Sequence, residues 1–153
     1  MNPDPLHHPL AQDPFFWRDL IATSECWFEV TSDSMVPTLQ PGDRVCVRSL
    51  ELPSAPGEII VFLHEGRLVA HRCIGDCRFR GDARLLPDPP VPAGQIVGLA
   101  VACRRNGREW RLGTRLPWRT RWFRLRLKCR RLDRGLRRFF ARVLGRGDAE
   151  RGE

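Results

Sequence analysis

Apolar residues cluster in five short runs along the first two thirds of the chain, at 27–30, 44–47, 58–63, 67–74 and 95–103. Each run is shorter than a typical helix and rich in β-branched or aromatic residues, so each predicts a strand. Asn106-Gly107, between 97–104 and 108–112, is the strongest hairpin-turn signal in the chain. Glu65-Gly66 marks a second such turn, with His64 exposed beside it. Ahead of the strands, Asp13-Pro14 combines a good N-cap with proline at the first helical position. It opens a short amphipathic helix over 15–21 that should pack on the sheet. The expected fold class is mainly β (α+β), a coiled antiparallel sheet or partial barrel. There is no internal repeat, P-loop or dinucleotide fingerprint.

The last third follows another pattern. Trp118, Trp122, Leu125, Cys129, Leu132, Leu136, Phe139 and Val143 recur at spacings of four and three, with arginines between them. This predicts a basic amphipathic helix roughly 40 Å long, interrupted at Gly135. Residues 104–147 hold seventeen Arg or Lys and two acids, a net of +15, whereas residues 1–103 hold eight basic and thirteen acidic residues, a net of −5. The formal charge of +8 therefore belongs to one arm. Three occupants suit that arm: an anionic membrane surface along 117–145, an apolar face of this or a partner protein, or nucleic-acid phosphates. The aromatic residues lie in the apolar stripe, which favours the membrane and makes nucleic acid the weakest candidate.

A length of 153 residues accommodates one compact domain with appendages. The expected division is a tail and short helix at 1–26, a β domain at 27–112 and the basic arm with a short tail at 113–153. The six cysteines, Cys26, Cys46, Cys73, Cys77, Cys103 and Cys129, form no Cys-x-x-Cys pair. Most occupy apolar strand positions, where a thiol behaves as a small hydrophobe. Free thiols, no zinc site and no cofactor are expected. His7 and His8, in a proline-rich start, give poor support for metal binding. No run of apolar residues ahead of residue 34 is long enough to span a bilayer, so a cytoplasmic location is expected, peripheral on the inner membrane face if the arm binds there.

The chemistry-bearing segment is Ser32-Asp33-Ser34-Met35-Val36-Pro37-Thr38-Leu39-Gln40-Pro41-Gly42-Asp43. Pro37 and Pro41-Gly42 exclude a helix interior and leave Ser34 on a stiff loop between strands. A hydroxyl there is either a turn-capping group or a nucleophile. Asp43, after Gly42, reads as a turn former. The stretch resembles the nucleophile box of the signal peptidase I superfamily, which also contains self-cleaving repressors. Four further segments follow in the same order as in that superfamily: Arg44-Val45-Cys46-Val47, 56–62, Leu68-Val69-Ala70-His71-Arg72, and Arg80-Gly81-Asp82-Ala83 with Asp88 and 95–98.

The resemblance implies a serine peptidase with Ser34 as nucleophile. Lysine is the base in one branch and histidine followed by arginine in the endoplasmic-reticulum and archaeal branch. The only lysine here is Lys128, and His71-Arg72 stands at the matching place, so His71 is the expected base. An aspartate after glycine and another six residues later match Asp82 and Asp88. The resemblance gives Asp88 the orienting role and Asp82 a supporting one, although their roles could be exchanged. The Ser34 amide and the Ser32 hydroxyl are the expected oxyanion donors. Asp33 between them departs from the family pattern. The expected function is an endopeptidase that removes a leader from a peptide or protein precursor. The alternative is a non-catalytic peptide- or membrane-binding module that keeps the fold. A self-cleaving DNA-binding regulator is disfavoured, because only about 26 residues precede the β core.

Overall fold

The computed structural model describes residues 12–50 and 54–114. The predicted amphipathic helix of the arm lies outside the described residues. A short helix, α1 (Pro14–Thr23), precedes seven strands: β1 (Cys26–Glu29), β2 (Arg44–Arg48), β3 (Ile59–His64), β4 (Arg67–Gly75), β5 (Arg78–Arg80), β6 (Ile96–Arg105) and β7 (Arg108–Arg111). Asp13 caps α1 as its residue type predicts, its side chain accepting from the Phe15 amide at 2.9 Å.

All seven strands form one antiparallel sheet in the order β1-β2-β6-β3-β4-β5, with β7 on β6. The sheet is open and does not close into a barrel. Glu65-Gly66 and Asn106-Gly107 both adopt positive φ at their two residues, the conformation that lets a two-residue turn match strand twist. A third such turn, Asp76-Cys77, joins β4 to the three-residue β5. That strand was not expected from the sequence, because β5 is too short for a periodic signal and Asp-Cys is a weak turn pair.

The continuous apolar run of β3 is explained by burial on both faces. Ile59, Val61 and Leu63 face a core shared with Trp17 and Ile21 of α1, with Met35, Leu39, Val45 and Val47. Ile60 and Phe62 face a second core with Cys73, Phe79 and Ile96. Helix α1 is fastened to the first core by Trp17, 1 % exposed. Arg18 adds Nε and Nη2 bonds to the carbonyls of Ile96 and Ala93, at 2.6 and 2.7 Å.

The cysteines at 26, 46, 73, 77 and 103 are free. Burial, with the neighbouring Asp43 charge second, pushes the Cys103 thiol up to about 12. Burial raises Cys46 too. Cys77, by contrast, is exposed at its turn.

Candidate active site

The loop between β1 and β2 is clamped at its base. The Val30 amide donates to the Asp43 carbonyl and the Gly42 amide to the Val30 carbonyl, each at 2.8 Å. Asp43 is 1 % exposed, and its carboxylate accepts from the Gln40 amide and from Nε and Nη2 of Arg105 at 2.6 to 2.7 Å. Burial pushes that carboxyl up, but the Arg105 and Gln40 hydrogen bonds and the Arg105 charge outweigh it and hold it below the usual range. Asp43 is thus a buried structural anchor, which goes beyond the turn role expected for it. Met35 and Leu39 insert into the first core. Between these anchors the Ser34 carbonyl accepts from the Ala83 amide at 2.8 Å. Ser34 is held on both sides and is itself buried.

His71 lies on β4 opposite Ile60 of β3, so its ring shares a face with Phe62, edge-on at 6.0 Å between centroids. Its Nε2 is 3.0 Å from Ser34 Oγ, and its Nδ1 is 2.6 Å from Asp88 Oδ2. A carboxylate can only accept, so Nδ1 carries the hydrogen and Nε2 presents its lone pair to the serine hydroxyl. The Asp88 amide donates to the Phe79 carbonyl at 2.9 Å, which fixes the loop after β5 beneath the histidine.

With Ser34 donating to His71, its oxygen is free to accept from Ser32 Oγ, 3.2 Å away. The Ser32 hydroxyl therefore lies beside the Ser34 hydroxyl. Asp33 is exposed, so its charge faces solvent.

Asp82 is 0 % exposed and does not bond His71. It accepts from Nε and Nη2 of Arg72 at 3.0 and 2.8 Å, a bidentate pair, and from the Thr38 hydroxyl. Arg72 Nη1 also donates to the Gly57 carbonyl at 2.7 Å. This network ties β4, the serine loop and the segment after β5 together directly behind the site. Of the two aspartates, the structure brings Asp88 to the histidine and places Asp82 in the buttress.

Sequence reasoning gave no role to Arg72, Thr38 or Gly81. A Cβ built on Gly81 would stand 2.6 Å from the Ser34 carbonyl oxygen and 3.0 Å from His71 Nε2. An arginine at the end of the apolar run of β4 was the one available signal for the buttress, since a buried guanidinium requires a carboxylate partner.

A cleft of about 520 Å³ opens beside Ser34. Leu68 and Ala70 of β4 line it. The Cys73 amide and carbonyl point to the β3 side, bonding Glu58 and Gly57. Strand alternation then turns the backbone groups of Leu68 and Ala70 the other way, and among the described residues no strand pairs with them there.

A family model described as peptidase S24-like matches residues 9–98. The chain belongs to the peptidase S24-like family. That family falls within the superfamily of signal peptidases and self-cleaving repressors, so the superfamily resemblance read from the serine box is correct at that level. Membership brings a serine-peptidase or self-cleaving-repressor type of domain. Neither the search of curated proteins nor the search of solved structures found a match. In this peptidase S24-like domain the described residues contain no group of three or more His, Cys, Asp or Glu that could hold a metal ion. No helix among them is long and apolar enough to cross a membrane.

Proposed function

We propose that this chain is a serine endopeptidase of the histidine type, with Ser34 as nucleophile, His71 as general base and Asp88 as the group that orients the ring. The observation that carries the reading is the unbroken relay from Ser34 Oγ to His71 Nε2 at 3.0 Å and from His71 Nδ1 to Asp88 at 2.6 Å.

Ser34 Oγ attacks the peptide carbonyl while His71 Nε2 takes its proton. Asp88 stabilises the imidazolium and keeps its tautomer. The Ser34 amide and the Ser32 hydroxyl receive the developing oxyanion. His71 then passes the proton to the departing amine, and water releases the acyl group by the same route. The substrate lies extended along β4, using the backbone groups of Leu68 and Ala70 that no described strand pairs with. A leader or precursor peptide, flexible enough to extend there, is the substrate class that best suits this slot.

The test is digestion of a mixed peptide library, read by mass spectrometry, with wild type, Ser34→Ala and His71→Ala side by side. Cuts should occur with wild type alone, and both variants should remain folded because neither change opens a large core cavity. Ser34→Ala protein cutting at the wild-type rate would overturn the assignment.

A further inference from the structure

Arg84 is an exposed cation beside the atoms that exchange the proton. We infer that it reads the leaving side of the substrate by pairing with a carboxylate there. The enzyme would then favour Asp or Glu as the first residue after the scissile bond. This inference rests on the peptidase reading of the site.

Position is the first support. A Cβ built on Gly81 would stand 3.0 Å from His71 Nε2, 2.6 Å from the Ser34 carbonyl oxygen and 2.9 Å from Arg84 Cγ. Nε2 is the atom that would hand the proton to the departing amine. A side chain rooted beside that nitrogen therefore borders the leaving group. Arg84 takes no part in the cleft along Leu68 and Ala70.

The way Arg84 is mounted is the second. Its amide donates to the Gly81 carbonyl at 3.0 Å, and the Ala83 amide donates to the Ser34 carbonyl at 2.8 Å. The turn that carries Arg84 is thus fastened to the backbone of the nucleophile itself. Its stem of three methylenes still lets the guanidinium swing towards a ligand.

Charge is the third. Among the described residues the Arg84 side chain makes no ion pair. Both acids of its own loop are engaged elsewhere, Asp82 by Arg72 and Thr38, and Asp88 by His71. A guanidinium presents a planar fork that matches a carboxylate with two parallel hydrogen bonds. An acidic side chain on the departing peptide supplies that partner, and a basic one there would be repelled.

The test uses peptides identical except for Glu, Gln or Lys after the cut. Their common sequence comes from the wild-type cuts in the library, or from peptides retained by Ser34→Ala protein if wild type cuts nothing. Values of kcat/KM are measured with wild type, Arg84→Gln and Arg84→Glu at low and high salt. Binding of the same peptides to Ser34→Ala protein is measured by calorimetry, which does not depend on turnover.

Wild type should favour Glu over Gln by about fivefold, the most that an exposed ion pair supports, and Gln over Lys by a similar factor. The preference should shrink as salt rises. Arg84→Gln should treat the three peptides alike, and Arg84→Glu should reverse their order, which a merely structural role would not do. If wild type cuts all three equally, or Arg84→Gln keeps the preference for Glu, the inference is overturned and the peptidase reading stands. If wild type cuts nothing while Ser34→Ala protein binds the Glu peptide most tightly, the carboxylate site holds and the catalytic reading fails. Equal binding with no cutting overturns both.

Discussion

Replacing Gly81 by alanine adds one methyl group at the point where three parts of the site meet. That methyl would stand 2.6 Å from the Ser34 carbonyl oxygen, 2.9 Å from Arg84 Cγ and 3.0 Å from His71 Nε2. Ordinary contact begins at 3.4 Å, so the Ser34 backbone and the His71 ring must withdraw by several tenths of an ångström, up to about 0.8 Å at the carbonyl. Arg84 can yield because it is exposed and flexible. The Ser34 carbonyl cannot yield easily, because it accepts from the Ala83 amide within the same turn. The 3.0 Å contact between Ser34 and His71 therefore absorbs the displacement. A shift of about 1 Å in a reacting pair can lower the rate about 10²-fold, while overpacking costs about 1–3 kcal/mol of stability. Gly81→Ala should thus lose roughly 100-fold in kcat, with little change in KM because the cleft is untouched. Steady-state cleavage of a peptide found by library digestion, alongside urea unfolding, separates the two effects. Activity within threefold of wild type in a folded variant would refute the steric argument.

Asp88→Asn should lower kcat by about 10⁴-fold, because an amide can hold the ring in the wrong tautomer; activity close to wild type would remove Asp88 from the mechanism. Arg105→Met leaves Asp43 buried without its cation and should destabilise the domain by about 3 kcal/mol at pH 7, towards the low end for a buried pair because Arg105 is 30 % exposed. In wild type, the depressed Asp43 pKa contributes stability that is present above the unfolded carboxyl value and lost as pH falls below about 4. The penalty of Arg105→Met should therefore shrink at pH 3.5, where the lone carboxyl can bury itself protonated, and equal penalties at both pH values in denaturant titrations would contradict this. The basic arm is proposed to bind anionic membrane surfaces through residues 117–145, so the full chain should co-sediment with phosphatidylserine vesicles but not with neutral ones, more weakly as salt rises. Equal recovery with both vesicle types would point to another partner.

Strand positions were legible because burial leaves a plain signal. The run 58–63 is apolar at consecutive positions because β3 is covered on both faces. Asn106-Gly107 and Asp13-Pro14 specify their local conformations almost alone. In contrast, β5 exists because Phe79 is buried in the second core and β4 offers it an edge, neither of which shows in a three-residue window. Openness of the sheet was equally hidden, since strand patterns do not say whether the end strands meet. At the site, Ser34, His71 and Asp88 were nameable from family resemblance. The separation of Asp82 from the histidine was not, because it depends on Arg72 reaching across to claim that carboxylate. Gly81 was unreadable for a related reason: its importance lies in the atoms that would meet a side chain it lacks.

The parts of this site come from distant stretches of chain. Ser34 and His71 are 37 positions apart, His71 and Asp88 are 17, and the supporting pairs Thr38–Asp82 and Asp43–Arg105 span 44 and 62. Contacts of such separation form only after the intervening loops have closed, which makes them slow and cooperative steps of folding. No short segment holds a working portion of the relay, and a chain still being synthesised lacks Arg105 until every strand but β7 has been made. Assembly itself thus serves as the safeguard: the Ser34 hydroxyl meets the His71 ring only in a molecule that has finished folding.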